Sequence, residues 1–171
     1  VAVGTNCLDA NTTGFRSTVI GHEALGNGGA TVGGIIAIGY EACKNTTNGG
    51  NTAVGYQALT TNTDGYWNTA FGSLALSSNT TGTHNTAFGH NALMTATASF
   101  NDAFGWRALY SNTTGNSNTA VGISAGTNIT TGIENVCVGS GAGSALTIQQ
   151  RNVAIGRETL QRFKSNRNIA I

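Results

Sequence analysis

A five-residue phrase, Asn-Thr-Ala-Val/Phe-Gly, recurs along the whole chain and limits what the chain can fold into. Clear copies occupy 51–55, 68–72, 85–89 and 118–122. Looser copies end at Gly4, Gly21, Gly39, Gly105, Gly139 and Gly156, and an eleventh begins at Asn168. Successive phrase glycines are 16, 17 or 18 residues apart. A near-constant period of this kind marks a solenoid, in which each repeat is one coil stacked on the last. The expected fold is therefore all-β: a parallel β-roll of about ten coils, with residues 1–171 forming a single solenoid segment. The chain enters inside one phrase and leaves inside another, so it is expected to be a piece of a longer protein.

Counting from the phrase glycine as position zero exposes the period of two that defines a strand. Position −1 is always large and apolar: Val3, Ile20, Ile38, Val54, Phe71, Phe88, Phe104, Val121, Val138, Ile155 and Ile171. Position −2 is nearly always Ala, with Val19 and Cys137 as exceptions. Position −3 is Thr, Val or Ile except at Asp102. A column of Ala means close packing on that side, so the Ala column is expected inside and the −1 column outside. The opposite arrangement would put Ala on an exposed strand face, where it is a poor choice. A second short strand is expected after the glycine, where Ala at +3 and Leu at +4 recur. Asn at −4, from Asn51 to Asn168, is expected to serve a turn, either in left-handed backbone geometry or as a stacked hydrogen-bonded ladder. Glycine at +10, as in Gly65, Gly82 and Gly115, is expected to supply a positive φ. The glycine-rich stretch 26–34 reads as a loosened loop. It lacks the Lys-Ser/Thr of a phosphate cradle.

If −1 faces outward, an uninterrupted apolar stripe runs the length of the rod. Such a stripe does not stay in water on a soluble protein. Two further copies of the chain are expected to cover it, with Val54, Phe71, Phe88, Phe104, Val121, Val138 and Ile155 at the interface of a homotrimer.

Composition narrows the partners. Net charge is +1 and charged residues are 9%, against a usual quarter. A near-neutral chain argues against nucleic acid. No stretch reaches the roughly 18 apolar residues of a membrane span, so no membrane insertion is expected. The acids are scattered over different coil positions, and no serine lies beside a base as a pattern. His22 and His90 share position +1 four coils apart, and His84 lies in a turn. No catalytic residue, metal site or cofactor is expected. Cys7, Cys43 and Cys137 replace small or apolar repeat positions and read as buried free thiols. Cys7 and Cys43 are two coils apart, roughly 9–10 Å and beyond disulfide reach. Five sequons begin at Asn11, Asn45, Asn79, Asn112 and Asn128, and their turn role already accounts for them.

The copies at 152–156 and 168–171 resemble the head repeats of YadA-like trimeric autotransporter adhesins. The longer form, N-T-A-x-G-x-x-A-L followed by N-T-T-G, is similar to repeats of phage tail fibres. The resemblance implies a left-handed, homotrimeric roll on a virion tail fibre or a bacterial cell surface. It implies a structural and receptor-binding role that is not enzymatic. The period of about 17 departs from the shorter adhesin repeat. No adhesin stalk, membrane anchor or chaperone domain is matched.

Within that reading, position +1 offers outward aromatic and polar side chains. Tyr40, Tyr56, His90 and Trp106 are the candidate contacts for cell-surface glycans, with Tyr66 and Trp67 a second aromatic candidate. The basic residues Arg151, Arg157, Arg162, Lys164 and Arg167 gather near the C-terminal end and read as a solvated face. Two alternatives stand beside the fibre. Thr52, Thr69, Thr86 and Thr119 at fixed spacing suit an ice-binding solenoid. Sites formed between chains suit a polysaccharide-degrading fibre.

Overall fold

A computed structural model describes residues 1–162 and 165–171. Eleven strands of two or three residues follow one another as β1 (Ala2–Val3), β2 (Thr18–Ile20), β3 (Ile36–Ile38), β4 (Thr52–Val54), β5 (Thr69–Phe71), β6 (Thr86–Phe88), β7 (Asp102–Phe104), β8 (Thr119–Val121), β9 (Val136–Val138), β10 (Val153–Ile155) and β11 (Ile169–Ala170). They form one parallel sheet whose spatial order is the sequence order. Like positions stack on like: Thr52 pairs Thr69, Ala53 pairs Ala70 and Val54 pairs Phe71. The fold is an all-β parallel solenoid of about ten turns. At about 4.8 Å per step the sheet is roughly 48 Å long.

The interior is built from the small columns. Ala37, Ala53, Ala70, Ala87, Ala103, Ala120 and Ala154 at −2 are fully buried. Ala58 and Leu59, at +3 and +4, are fully buried as well, as are their counterparts Ala75 and Leu76. Two consecutive buried residues cannot both point inward from a strand, because its side chains alternate. The expected second strand is accordingly absent among the described residues. The backbone instead alternates through left-handed geometry at +2 and +4, with φ of 52° at both Gln57 and Leu59. Each left-handed residue aims its N–H along the rod. Gln57 donates to Tyr40 O of the preceding coil at 2.8 Å, and Leu59 donates to Ala75 O of the following coil at 3.1 Å. Left-handed geometry costs an L-residue roughly 1–2 kcal/mol, and these inter-coil bonds offset it.

The Asn column at −4 forms the stacked ladder and not a left-handed turn. Left-handed φ falls one residue earlier, at Trp67 (55°) and His84 (56°). From Asn51 to Asn168, each Oδ1 accepts from the next asparagine in the column. Asn68 Oδ1 takes the Asn85 backbone N–H at 3.0 Å and its Nδ2 at 3.1 Å. Asn85 Nδ2 also donates to Ala98 O at 2.8 Å. These amides are buried, so each bond made avoids a desolvation penalty. In the coil before the ladder begins, Ser17 Oγ plays the same part for the Ile35 N–H at 3.2 Å.

The +10 glycines also differ from expectation. Gly65, Gly82 and Gly115 do not have positive φ. Glycine is needed there because a Cβ would run into the backbone of the next coil: Gly65 on Gly82 O, Gly82 on Ala98 O, Gly115 on Gly132 O. The stretch 26–34 is not loose either. Gly29 donates to Thr46 O and Gly34 to Phe15 O, and Val32 and Ile35 are buried.

A second buried polar column, at +7, is only partly satisfied. Asn79 Nδ2 donates to Asn62 Oδ1 at 2.9 Å. Asn112 lies between Ala96 and Ile129 in that column, and both of its amide atoms are buried without a partner. Asn85→Ala is therefore expected to cost about 2–3 kcal/mol, because it orphans the Asn101 N–H and the Ala98 carbonyl. Asn112→Ala is expected to be neutral or stabilising, since no bond is lost. Urea unfolding of the two variants checks the contrast. Equal losses would contradict the difference between the columns.

Candidate functional site

The strand face carries columns −3 and −1 outward. Phe71, Phe88 and Phe104 are 44%, 48% and 41% exposed. Val121 and Ile155 are exposed, and Val54 and Val138 are half-buried. The seven residues expected at a trimer interface thus form one outward stripe, while the Ala column faces in. The stripe is ordered along its length. Phe71 and Phe88 stack with ring centroids 4.7 Å apart and an interplanar angle of 7°, and Phe88 and Phe104 stand 6.3 Å apart at 20°. Parallel stacking follows from in-register pairing, since identical backbone positions repeat at the coil spacing.

The +1 column borders this face. Tyr40 lies between His22 and Tyr56, each 5.3 Å away at 7° and 10°. Both faces of the Tyr40 ring are therefore covered, and Tyr56 has one face free. His90 and Trp106 stand on adjacent coils. The His90 Nε2 meets Asn91 Nδ2 at 3.0 Å, and the Arg107 guanidinium lies 5.2 Å from the Trp106 ring centroid. Arg107 also lies 4.3 Å from the Tyr110 ring centroid.

Tyr66 and Trp67, the second aromatic candidate, belong to a larger group whose other members, His84 and Phe100, the sequence did not suggest. Trp67, His84 and Phe100 share position −5 on three consecutive coils, and Tyr66 joins them. Rings of Trp67 and His84 meet edge-on at 4.8 Å, and His84 stacks on Phe100 at 5.0 Å. The signal was available in the shared offset from the phrase glycine. The variable identities hid it.

Charges are few, and ion pairs gather at two places. Lys44 Nζ reaches Glu23 at 2.5 Å and Glu41 at 2.8 Å, and Gln57 Nε2 donates to Glu41 Oε2 at 2.7 Å. The hydrogen bonds from Lys44 and then Gln57 hold the Glu41 carboxyl below its ordinary pKa, the opposite of what a general acid needs. The two carboxylates, Glu23 first, raise the Lys44 pKa. Beside this cluster lies a pocket of about 310 Å³ lined by Asn6, Asp9, Glu23, Gly26, Asn27 and Lys44. Toward the C-terminal end, Arg151 pairs with Glu134 at 2.6 Å and Arg157 with Glu158 at 3.5 Å. Lys164 lies outside the described residues. Among the described residues, no three His, Cys, Asp or Glu gather as a metal cluster. No helix among them is long and apolar enough to cross a membrane.

The thiols differ from one another. Cys43 and Cys137 are buried, and burial pushes each up to about 12. Cys7 is only half-buried, contrary to the expectation of three buried thiols. The thiolate is the reacting form. At pH 8 an aromatic disulfide reagent is expected to modify one thiol per native chain and three per unfolded chain. Three fast-reacting thiols in the native protein would contradict the buried positions. Of the sequon asparagines, Asn79 and Asn112 are buried in the core.

No family model matches this chain, nor does any curated protein or solved structure.

Proposed function

We propose that the chain is a structural and receptor-contacting segment of a homotrimeric fibre, of a phage tail or a bacterial surface, with no catalytic role. The supporting observation is the ordered apolar stripe on the outward strand face. At roughly 48 Å by 10 Å the strand face alone covers about 480 Å², near the top of the range for an apolar patch on a monomer. A continuous sheet with inter-coil hydrogen bonds all round resists bending, which suits reach. Three copies would also present any weak glycan contact at Tyr56, His90 or Trp106 three times over, raising avidity without a strong single site. Solution scattering tests the fibre reading. A particle of single-coil cross-section would oppose it, and a thicker rod of the same length would support it.

A second reading uses the same face. Thr52, Thr69, Thr86 and Thr119 are exposed or half-buried on a regular outward sheet, which suits an ice-binding surface. The two readings are exclusive, because a face covered by other copies cannot meet ice. Measured thermal hysteresis from a monomer would favour the second.

A further inference from the structure

The outward strand face carries a single charge. Asp102 stands in a −3 column that is otherwise Thr, Val and Ile. It is half-buried and belongs to no ion pair among the described residues. The +2 column, just beyond the opposite edge of that face, holds one cation, Arg107. Its guanidinium lies 5.2 Å from the Trp106 ring centroid and 4.3 Å from that of Tyr110, and it belongs to no ion pair among the described residues. Both residues belong to the coil centred on Gly105, so they lie at one level of the rod.

Rods related by rotation about an axis along their length meet in a fixed way. The −3 edge of one sheet face comes against the opposite edge of its neighbour, where −1 gives way to +1 and +2. This contact is heterologous, and in register each coil meets its own level. An antiparallel pair about a crosswise two-fold axis would instead set the −3 column against itself. From these two opposite charges at one level, neither of them in an ion pair, we infer that a second copy of this chain covers the strand face, parallel and in register. Asp102 of each protomer then accepts hydrogen bonds from Arg107 of the next. This rests on the reading of the face as self-associating and adds its register.

The charge pair selects that register. A slip of one coil would set Asp102 against Asn91 or Ser124, the +2 residues of the adjacent coils. A carboxylate and a guanidinium would then be desolvated without partners, which is strongly unfavourable. The apolar columns alone discriminate poorly between registers, because Phe71, Phe88 and Phe104 are interchangeable under a one-coil shift. One charged pair on an otherwise uniform seam supplies what the repeats cannot.

Charge reversal tests the pairing. Asp102→Arg and Arg107→Asp are compared singly and together, with the dissociation constant read by sedimentation and the protomer fold by circular dichroism. Each single reversal is expected to weaken association at least about thirtyfold. The double swap is expected to return within about threefold of the parent protein. The milder Asp102→Asn and Arg107→Gln serve if a reversal fails to fold, with a smaller loss in the same direction. If the single variants assemble like the parent while Phe88→Asp still dissociates, the pairing is overturned and self-association survives. If the parent protein stays monomeric, both fall together.

Discussion

Phe88→Asp is expected to convert the assembled protein into a monomer without unfolding the protomer. Phe88 is 48% exposed in the single chain, so the coil should tolerate a carboxylate there. In a trimer about the strand face, three such carboxylates would converge on one axis in a desolvated seam. An unpaired buried charge costs about 3–5 kcal/mol, and here it arises three times. The stacked contacts to Phe71 and Phe104 go with it. At micromolar concentration the variant should sediment as one chain while keeping the far-ultraviolet circular dichroism of the parent. Phe88→Leu, which keeps the apolar surface, should remain assembled. An Asp variant that stays assembled would remove the −1 stripe from the interface.

Gly72→Ala, like the same change at the other phrase glycines, is expected to be severely damaging for a single added methyl. Gly72 has a φ of +138°, a region that only glycine occupies readily. A Cβ there would sit 2.6 Å from the carbonyl carbon and oxygen of Gly89 and 3.0 Å from the His90 nitrogen. All three are backbone atoms of the next coil and cannot swing aside. The two coils would have to part, breaking bonds between them such as Gly89 N–H to Phe71 O at 2.8 Å. A loss of about 4 kcal/mol or more is expected. Gly126→Ala is the control. Its φ is +58°, and the nearest atoms to an added Cβ are side-chain ends, of Leu109 at 3.0 Å, Ile129 at 3.1 Å and Cys137 at 3.6 Å. The same slot holds Leu in other coils, so a cost of about 1–2 kcal/mol is expected. Thermal unfolding at matched concentration compares the two. Similar midpoints would contradict the close stacking of the phrase glycines.

The strand was readable in the sequence because side-chain alternation and coil period are independent signals that agree. Ala at −2 beside Val or Phe at −1 told inside from outside, and the stacked Asn amides at −4 followed from a shared offset. The part after the glycine was misread. Ala58 and Leu59 look like strand residues by composition, yet adjacent apolar positions cannot both enter the core from a strand. That conflict was itself visible, as was glycine at Gly126, Gly141 and Gly143, where the backbone turns left-handed. Propensity lost to inter-coil hydrogen bonding there, because a left-handed Leu that bonds its neighbour costs less than an unbonded buried N–H. The +10 glycines were misattributed for a related reason. A positive φ and a neighbouring carbonyl both demand glycine, and one sequence cannot separate them. At the candidate site, the outward stripe was legible, but the Trp67, His84 and Phe100 group and the Lys44 cluster were not. Each gathers unlike residues from one column of successive coils, −5 for the rings and +2 for Glu23, Glu41 and Gln57 around Lys44, and the variable identities hide the shared offset.

The most direct test of the apolar seam is the mass of the parent protein by sedimentation equilibrium. Three protomers of 17.4 kDa each, dissociating only at low concentration, are predicted. A single 17.4 kDa species persisting at about 100 μM, where even a weak interface would associate, would contradict it.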